Sequence, residues 1–380
     1  MRAIKYLCVD DQRADVIDPL VKRLTTERLN ITRATPREMS VQVQLIKDFL
    51  DANSSGAVGI LLDLRIDMEA GQDGTRVDYR GPALAQELRT RMAEGDINAS
   101  PIVLWSVNSK FQRSFSPDGS AHDLFDAVYD KDERVASEPE AVSLELESLA
   151  EGYLSIRNQL PSEGPLPLIG IDSAESAVYG RFIAEYEITC GRKNINEIAR
   201  FLLDSLVRRE GLLVNERTLS ARLGVDMQAS GDAWSELKNL LNPTSYRGPF
   251  SSAWPRWWWF QVENWWASIS DGRNDLRRLS AQQRIDRVSE RTGLKMVPPQ
   301  PILDNYSTKF FTVCVGTKRP LDPIDGLRIM SFGDRDWHDV KYVSEYAALE
   351  RISKSEWTLD PLDRSRFDSI RETSGNGKES

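Results

Sequence analysis

The chain has 380 residues, 40% apolar and 28% charged: too long for one ordinary hydrophobic core, and too apolar for the charge-rich class of disordered chains. Its longest apolar runs, such as Ile60–Leu62 and Trp257–Phe260, fall far short of the roughly 20 residues that cross a bilayer. The opening residues lack a secretory apolar segment, so a cytoplasmic protein is expected. A net charge of −9 opposes the broad positive field that nucleic-acid binding draws on.

The first apolar run, Ile4–Val9, ends abruptly in Asp10-Asp11, and a second, Val58–Leu62, ends as abruptly in Asp63. A third, Pro101–Trp105, stops at Ser106, and a weaker fourth, Ala127–Tyr129, stops at Asp130-Lys131. Continuous rather than alternating apolar character reads as strands buried on both faces. Helical spacing predicts helices over Val16–Leu29, Gln42–Ala52, Pro82–Glu94 and Glu140–Asn158. Strands alternating with helices predict a doubly wound, five-stranded parallel sheet over residues 1–158, with ligands at the carboxyl ends of the strands.

That rule gathers Asp10, Asp11, Asp63, Ser106 and Lys131 at one rim. Hard divalent cations such as Mg²⁺ take oxygen ligands of this kind. A carboxylate can also attack phosphorus, with metal and ammonium offsetting charge on the transferring oxygens. In this order, each at the end of a successive strand, the residues resemble the receiver domain of bacterial response regulators. The resemblance implies that Asp10, Asp11 and Asp63 hold Mg²⁺ and that Asp63 is the phosphoacceptor for a histidine kinase. It further implies that Ser106 and Lys131 contact the phosphoryl group. Several positions depart from the family. The segment Leu64–Arg80 is longer than usual by about ten residues, Asp132 replaces the proline that commonly follows the lysine, Val128 stands where a switch aromatic is expected, and Trp105 precedes the hydroxyl.

Around Leu160–Pro167 the text Leu-Pro-Ser-Glu-Gly-Pro-Leu-Pro reads as a linker, placed at residues 159–168. A helical and winged-helix-like domain is expected over 169–275, with helices at Ser173–Glu187 and Ile195–Glu210. The stretch Gly211–Val225 resembles the opening of a helix-turn-helix unit, turning at Gly224. The presented helix would be Asp232–Leu241, with a wing in Tyr246–Phe260. That helix offers Lys238 and Asn239 against Asp232 and Glu236, little for reading bases or phosphates, so contact with protein is the more economical use. Seven of the ten tryptophans fall between Trp234 and Trp266. Most are expected in a core; Trp254, Trp257, Trp258 and Trp265 are candidate partner-binding residues should they be exposed.

A small α+β region is expected over 276–370: a helix at Ser280–Thr292, a strand at Phe310–Val315, turn chemistry at Lys318–Gly326, a short strand at Leu327–Ser331 and a helix at Val343–Arg351. Residues 371–380 read as a disordered tail. Cys8, Cys190 and Cys314 are too scattered for a disulfide framework or metal cluster. His338 amid Asp334, Asp336 and Asp339 reads as a solvated loop, and His122 has no spaced partner. No catalytic constellation appears outside the rim, and no enzyme is expected. The sequence therefore predicts a response-regulator-like signalling protein regulated around Asp63 and acting through protein contacts, an architecture resembling antiphage conflict systems, with a defence-system effector as one conceivable partner. The alternative is a DNA-binding transcriptional regulator with a basic face around Arg217, Arg222, Lys238 and Arg247.

Overall fold

The structure, a computed structural model, describes residues 3–70, 76–107, 124–172, 179–273 and 275–376. The chain divides into two compact units, Met1–Asp204 with Arg247–Trp254, and Ser205–Tyr246 with Pro255–Ser380.

The first unit is built on a five-stranded sheet of order β2-β1-β3-β4-β5, parallel throughout. Its strands are β1 (Ile4–Val9), β2 (Leu29–Ala34), β3 (Val58–Asp63), β4 (Ile102–Ser106) and β5 (Ala127–Asp130). Helices α1 (Ala14–Leu24), α2 (Met39–Ala52) and α3 (Gly81–Glu94) make the crossovers. After the short α4 (Arg134–Ser137) comes α5 (Pro139–Glu163), which runs beside β1 and β3. On one face Val43, Ile46 and Leu50 of α2 and Leu84, Leu88 and Met92 of α3 pack on Leu7, Ile60, Leu62 and Leu104. Both faces are covered, which is why β1, β3 and β4 lack a two-residue alternation.

Two expectations need correction here. The first helix stops at Leu24, because the Thr26 hydroxyl accepts the N–H groups of Arg28 and Leu29 and turns the chain; Leu29 opens β2. The stretch Leu160–Pro167 is mostly helical. Pro161 sits in the last turn of α5, where it forgoes the one bond to the Arg157 carbonyl four residues back but leaves the preceding turns intact, and after Gly164 at φ +87° the chain enters α6 (Pro165–Leu168). Beyond it lie α7 (Gly180–Gly191) and α8 (Ile195–Leu202); the expected helix from Ser173 falls partly outside the described residues.

In the second unit, β6 (Leu213–Val214) leads into α9 (Glu216–Leu223), capped by Asn215 and ended by Gly224 at φ +75°. A side chain at Gly224 would also meet Ala281 Cα at 2.7 Å, so both backbone and packing require glycine there. Short α10 (Met227–Ser230) and α11 (Asp232–Leu240) follow. The expected wing, Tyr246–Phe260, is closed by one antiparallel bridge, Ser245 to Trp257, with the Tyr246 N–H on the Arg256 carbonyl at 2.9 Å. Trp257–Trp258 is β7, antiparallel to β6, and the chain then becomes α12 (Trp259–Ile269). Trp234, Trp257, Trp259 and Trp266 join Leu219, Leu223, Leu237 and Val288 in one core. Helix α13 (Ala281–Thr292) carries a full capping box at Ser280 and Gln283.

A second core in the same unit gathers Cys314, Leu321, Leu327, Val343 and Trp357. Its strands are short: β8 (Thr312–Val313) pairs with β9 (Pro320–Leu321), and β10 (Gly326–Arg328) with β11 (Tyr342–Ser344), which opens directly into α14 (Glu345–Leu349). Helix α15 spans Arg364–Asn376, beyond the expected start of a disordered tail at 371. Among the described residues no helix is long and apolar enough to cross a membrane.

Candidate functional site

The strand order reverses between β1 and β3, the switch point where an open α/β sheet leaves a crevice at its carboxyl edge. Val9 lies opposite Leu62 in the β1–β3 register, so the next residues, Asp10 and Asp63, emerge side by side. Trp105 pairs with Asp63 on the other flank, and Ser106 with Asp130. Local sequence thus places the rim: each apolar run ends where its backbone leaves the sheet.

Lys131 fills the centre. Its Nζ donates to Asp10 Oδ2 at 2.7 Å and to Asp63 Oδ1 at 2.8 Å, touches Gln12 Oε1 at 3.3 Å, and stands 4.8 Å from the Trp105 ring centroid. Lys131 and Asp10 are fully buried and Asp63 is 5% exposed, so the charges meet where water screens them little. Burial pushes the Asp10 carboxyl up to about 6; the pull of Lys131 works against this, and repulsion from Asp63 adds to it. Burial also opposes the charge on Lys131, but the attraction of Asp63 and Asp10 outweighs it and raises its pKa.

Asp11 faces the inserted segment after β3. Its Oδ2 accepts the backbone N–H groups of Met68 and Glu69, at 2.7 and 2.8 Å. Burial raises its pKa, and these two bonds partly offset the effect. Leu64 and Ile66 are buried beneath the segment, while Asp67 pairs with both Arg65 and Arg80 and ties its two described ends together. Residues 71–75 lie outside the described residues. The segment returns to the sheet at Gly81, whose N–H bonds the Leu64 carbonyl at 3.2 Å. A Cβ there would lie 2.2 Å from the Asp63 carbonyl oxygen, so only glycine lets α3 start so close to the rim.

Asp10, Asp11 and Asp63 can each present one carboxylate oxygen such that all lie within 4.8 Å of one another, a set that could hold a metal ion. Lys131 balances one of the three negative charges, and the two left over match one divalent cation; oxygen-only donors suit a hard ion. Ser106 is buried at the end of β4, and its carbonyl accepts the Lys131 N–H at 2.7 Å. All five rim residues expected from the sequence are therefore brought to one edge. Sequence reasoning missed Gln12, the N–H groups of Met68 and Glu69, and Gly81. Only the glycine, placed just before a proline at a helix start, carries a signal legible in advance.

On β5, Val128 is 38% exposed. Its neighbour Tyr129 is buried, donates to Glu145 Oε2 at 2.7 Å, and lies under Arg134, which also pairs with Glu145. Tyr129 is thus anchored inward.

The other candidates divide. Trp257 and Trp258 are 7% and 1% exposed; they are core residues rather than partner anchors, because β7 lays them against β6. Trp254 and Trp265 are half-buried. Arg222, expected on a basic face, is 1% exposed: its guanidinium pairs with Asp339, donates to the Phe311 carbonyl and stacks on Phe311 and Trp259. Lys238 pairs with Glu216 at 2.7 Å. Both ring nitrogens of His338 are engaged, with the Arg335 N–H and the Ser205 carbonyl, so it is no metal ligand; His122 lies outside the described residues. Cys8, Cys190 and Cys314 are free and buried.

The fold and the rim define a flavodoxin-like α/β domain with a carboxylate cluster at its strand ends. No family model matches the chain, and no curated protein is similar to it.

Proposed function

We propose that this is a response-regulator-like signalling protein, in which Asp63 accepts a phosphoryl group and the second unit delivers the response through contact with a protein partner. The observation that carries this reading is the meeting of buried Lys131 with Asp10 and Asp63 beside Asp11, at the switch point of the sheet. Asp10, Asp11 and Asp63 would hold Mg²⁺, which when bound screens charge between the carboxylate and the incoming phosphoryl group. A carboxylate oxygen of Asp63 attacks phosphorus as the bond to a phosphohistidine nitrogen breaks, and the electron pair leaves with the imidazole. Lys131 then balances the new charge, and Ser106 would contact the phosphoryl oxygens. The acyl phosphate carries up to two negative charges in place of the one on the Asp63 carboxylate, at a point where Lys131 now serves two carboxylates, which supplies a local cause for a change of surface.

Contact with protein is favoured over contact with DNA because Arg222 is spent inside the core and Lys238 on Glu216. Met68, on the segment stapled to Asp11, is 52% exposed and offers an adaptable apolar contact beside the rim.

Beryllofluoride, which mimics a phosphoryl group on a carboxylate, tests the assignment. Mg²⁺-dependent binding by the wild type and its loss in Asp63→Asn, followed by mass and intrinsic fluorescence, is the expected outcome. No binding by the wild type would leave the acid cluster as a structural device and remove the phosphoacceptor role.

A further inference from the structure

The second unit contains a cavity of about 200 Å³, walled by the first turn of α9, by β8 and by the segment leading into β11. Three cations and two acids line it: Arg217, Lys318 and Lys341, with Glu210 and Asp339. Both acids are already committed. Glu210 accepts the Asn215 N–H at 3.0 Å and faces Arg256 at 3.9 Å, and Asp339 pairs with the buried Arg222. Lys318 pairs with Glu356.

Arg217 and Lys341 have no ion pair among the described residues. Lys341 is half-buried, and burial together with the nearby Arg209 lowers its pKa, against the attraction of Asp334 and Glu210. Asp334 is itself paired with Arg209 at 3.2 Å. Two cations, the exposed Arg217 and the half-buried Lys341, thus stand outside any ion pair at a cavity smaller than the ~300–1,000 Å³ of drug-sized ligand sites.

We propose that this cavity binds an oxyanion of the phosphate class, held between Arg217 and Lys341. Two cations held in no ion pair match a group of charge near −2 better than a single carboxylate, and guanidinium and ammonium are the usual phosphate donors. The volume admits a phosphoryl head group with a few waters and leaves the rest of a larger molecule outside. Free phosphate and the phosphoryl group of a monoester share this chemistry.

Titration calorimetry of the full chain with inorganic phosphate, at fixed ionic strength in chloride, should give a saturable one-site isotherm. Arg217→Gln and Lys341→Met should each weaken it at least about tenfold, while Lys295→Ala, an exposed cation elsewhere, should not. On the wild type alone, phosphate should shield Lys341 from acetylation and leave Lys295 reactive, as read by peptide mass. Phenyl phosphate separates the two sources: binding as tight as phosphate identifies a monoester site, and exclusion a free-ion site, both within the proposal. Absence of a saturable isotherm, unchanged binding in both variants, or equal acetylation of Lys341 with and without phosphate overturns it.

Discussion

Lys131 Nζ lies 2.7 Å from Asp10 Oδ2 with both side chains fully buried, and it is the cation that lets two carboxylates share the rim. Lys131→Met would leave Asp10 and Asp63 facing each other without compensation. Removing one partner of a buried ion pair costs about 3–5 kcal/mol, and a fall in the urea midpoint of the variant measures it. Millimolar Mg²⁺ should restore more stability to the variant than to the wild type, because the ion then supplies the missing positive charge; equal responses would separate the metal from this carboxylate set.

Gly81→Ala places a methyl group 2.2 Å from the Asp63 carbonyl oxygen. Backbone on both sides must shift, at about 1–3 kcal/mol. Beryllofluoride affinity should fall with stability, because the displaced atom belongs to the candidate phosphoacceptor. Gly95→Ala, at the far end of α3, adds a Cβ that meets nothing but sits at φ +79°; it should lower stability and leave affinity unchanged.

Asp126 joins the start of β5 to two helices: it accepts Arg89 Nη2 at 2.7 Å, the Tyr153 hydroxyl at 2.7 Å and the Ile102 N–H at 2.8 Å. Arg89 also reaches Asn196 of α8 at 2.7 Å. Arg89→Leu should cost about 3–5 kcal/mol, since it strands a buried carboxylate, and Tyr153→Phe about 1–2 kcal/mol. A double-mutant cycle should give a non-zero coupling, because both groups bond the same carboxylate.

The second unit should lose stability in mild acid through His338. Its Nδ1 accepts the Arg335 N–H at 3.0 Å and its Nε2 lies 2.9 Å from the Ser205 carbonyl, so the neutral tautomer protonated at Nε2 fits both contacts. Burial, with Arg209 and Arg335 nearby, holds its pKa below the ordinary 6.5, although the Ser205 bond and Asp334 pull upward. The unfolded chain therefore takes up a proton first as pH falls. The stabilisation is complete above about 6.5 and is lost as pH falls from there through the folded pKa. Urea midpoints at pH 7.5 and 5.5 should differ less in His338→Gln than in the wild type.

The rim was legible because a buried parallel strand must be apolar almost to its last residue, so Asp10, Asp63, Ser106 and Lys131 stand out where the runs stop. Strand β2 was hidden: at the sheet edge its polar Asn30 and Thr32 break the apolar run, and its first residue continues a helical spacing. The partners of Asp11 were hidden for a different reason, since backbone N–H groups leave no mark in a sequence. Arg222 and Arg284 look like surface residues in composition. Arg284 is fully buried and bonds the carbonyls of Leu276, Arg222 and Phe310, so unpaired main-chain acceptors, invisible in the sequence, decide its place. The tryptophan cluster was read correctly as mainly core, yet which members face inward depended on where β7 gave way to α12.

The eight residues Arg247–Trp254 belong to the first unit although the chain on both sides of them belongs to the second. Phe250 fills the space over Gly152, where even a Cβ would lie 2.2 Å from its ring, and the Ala253 N–H bonds Ser148 Oγ at 3.2 Å. The polypeptide therefore passes from one unit to the other three times. A single cut after Asp204 would strip this strap from α5 and bare Gly152, so genetic dissection into the two units must carry the strap along with the first.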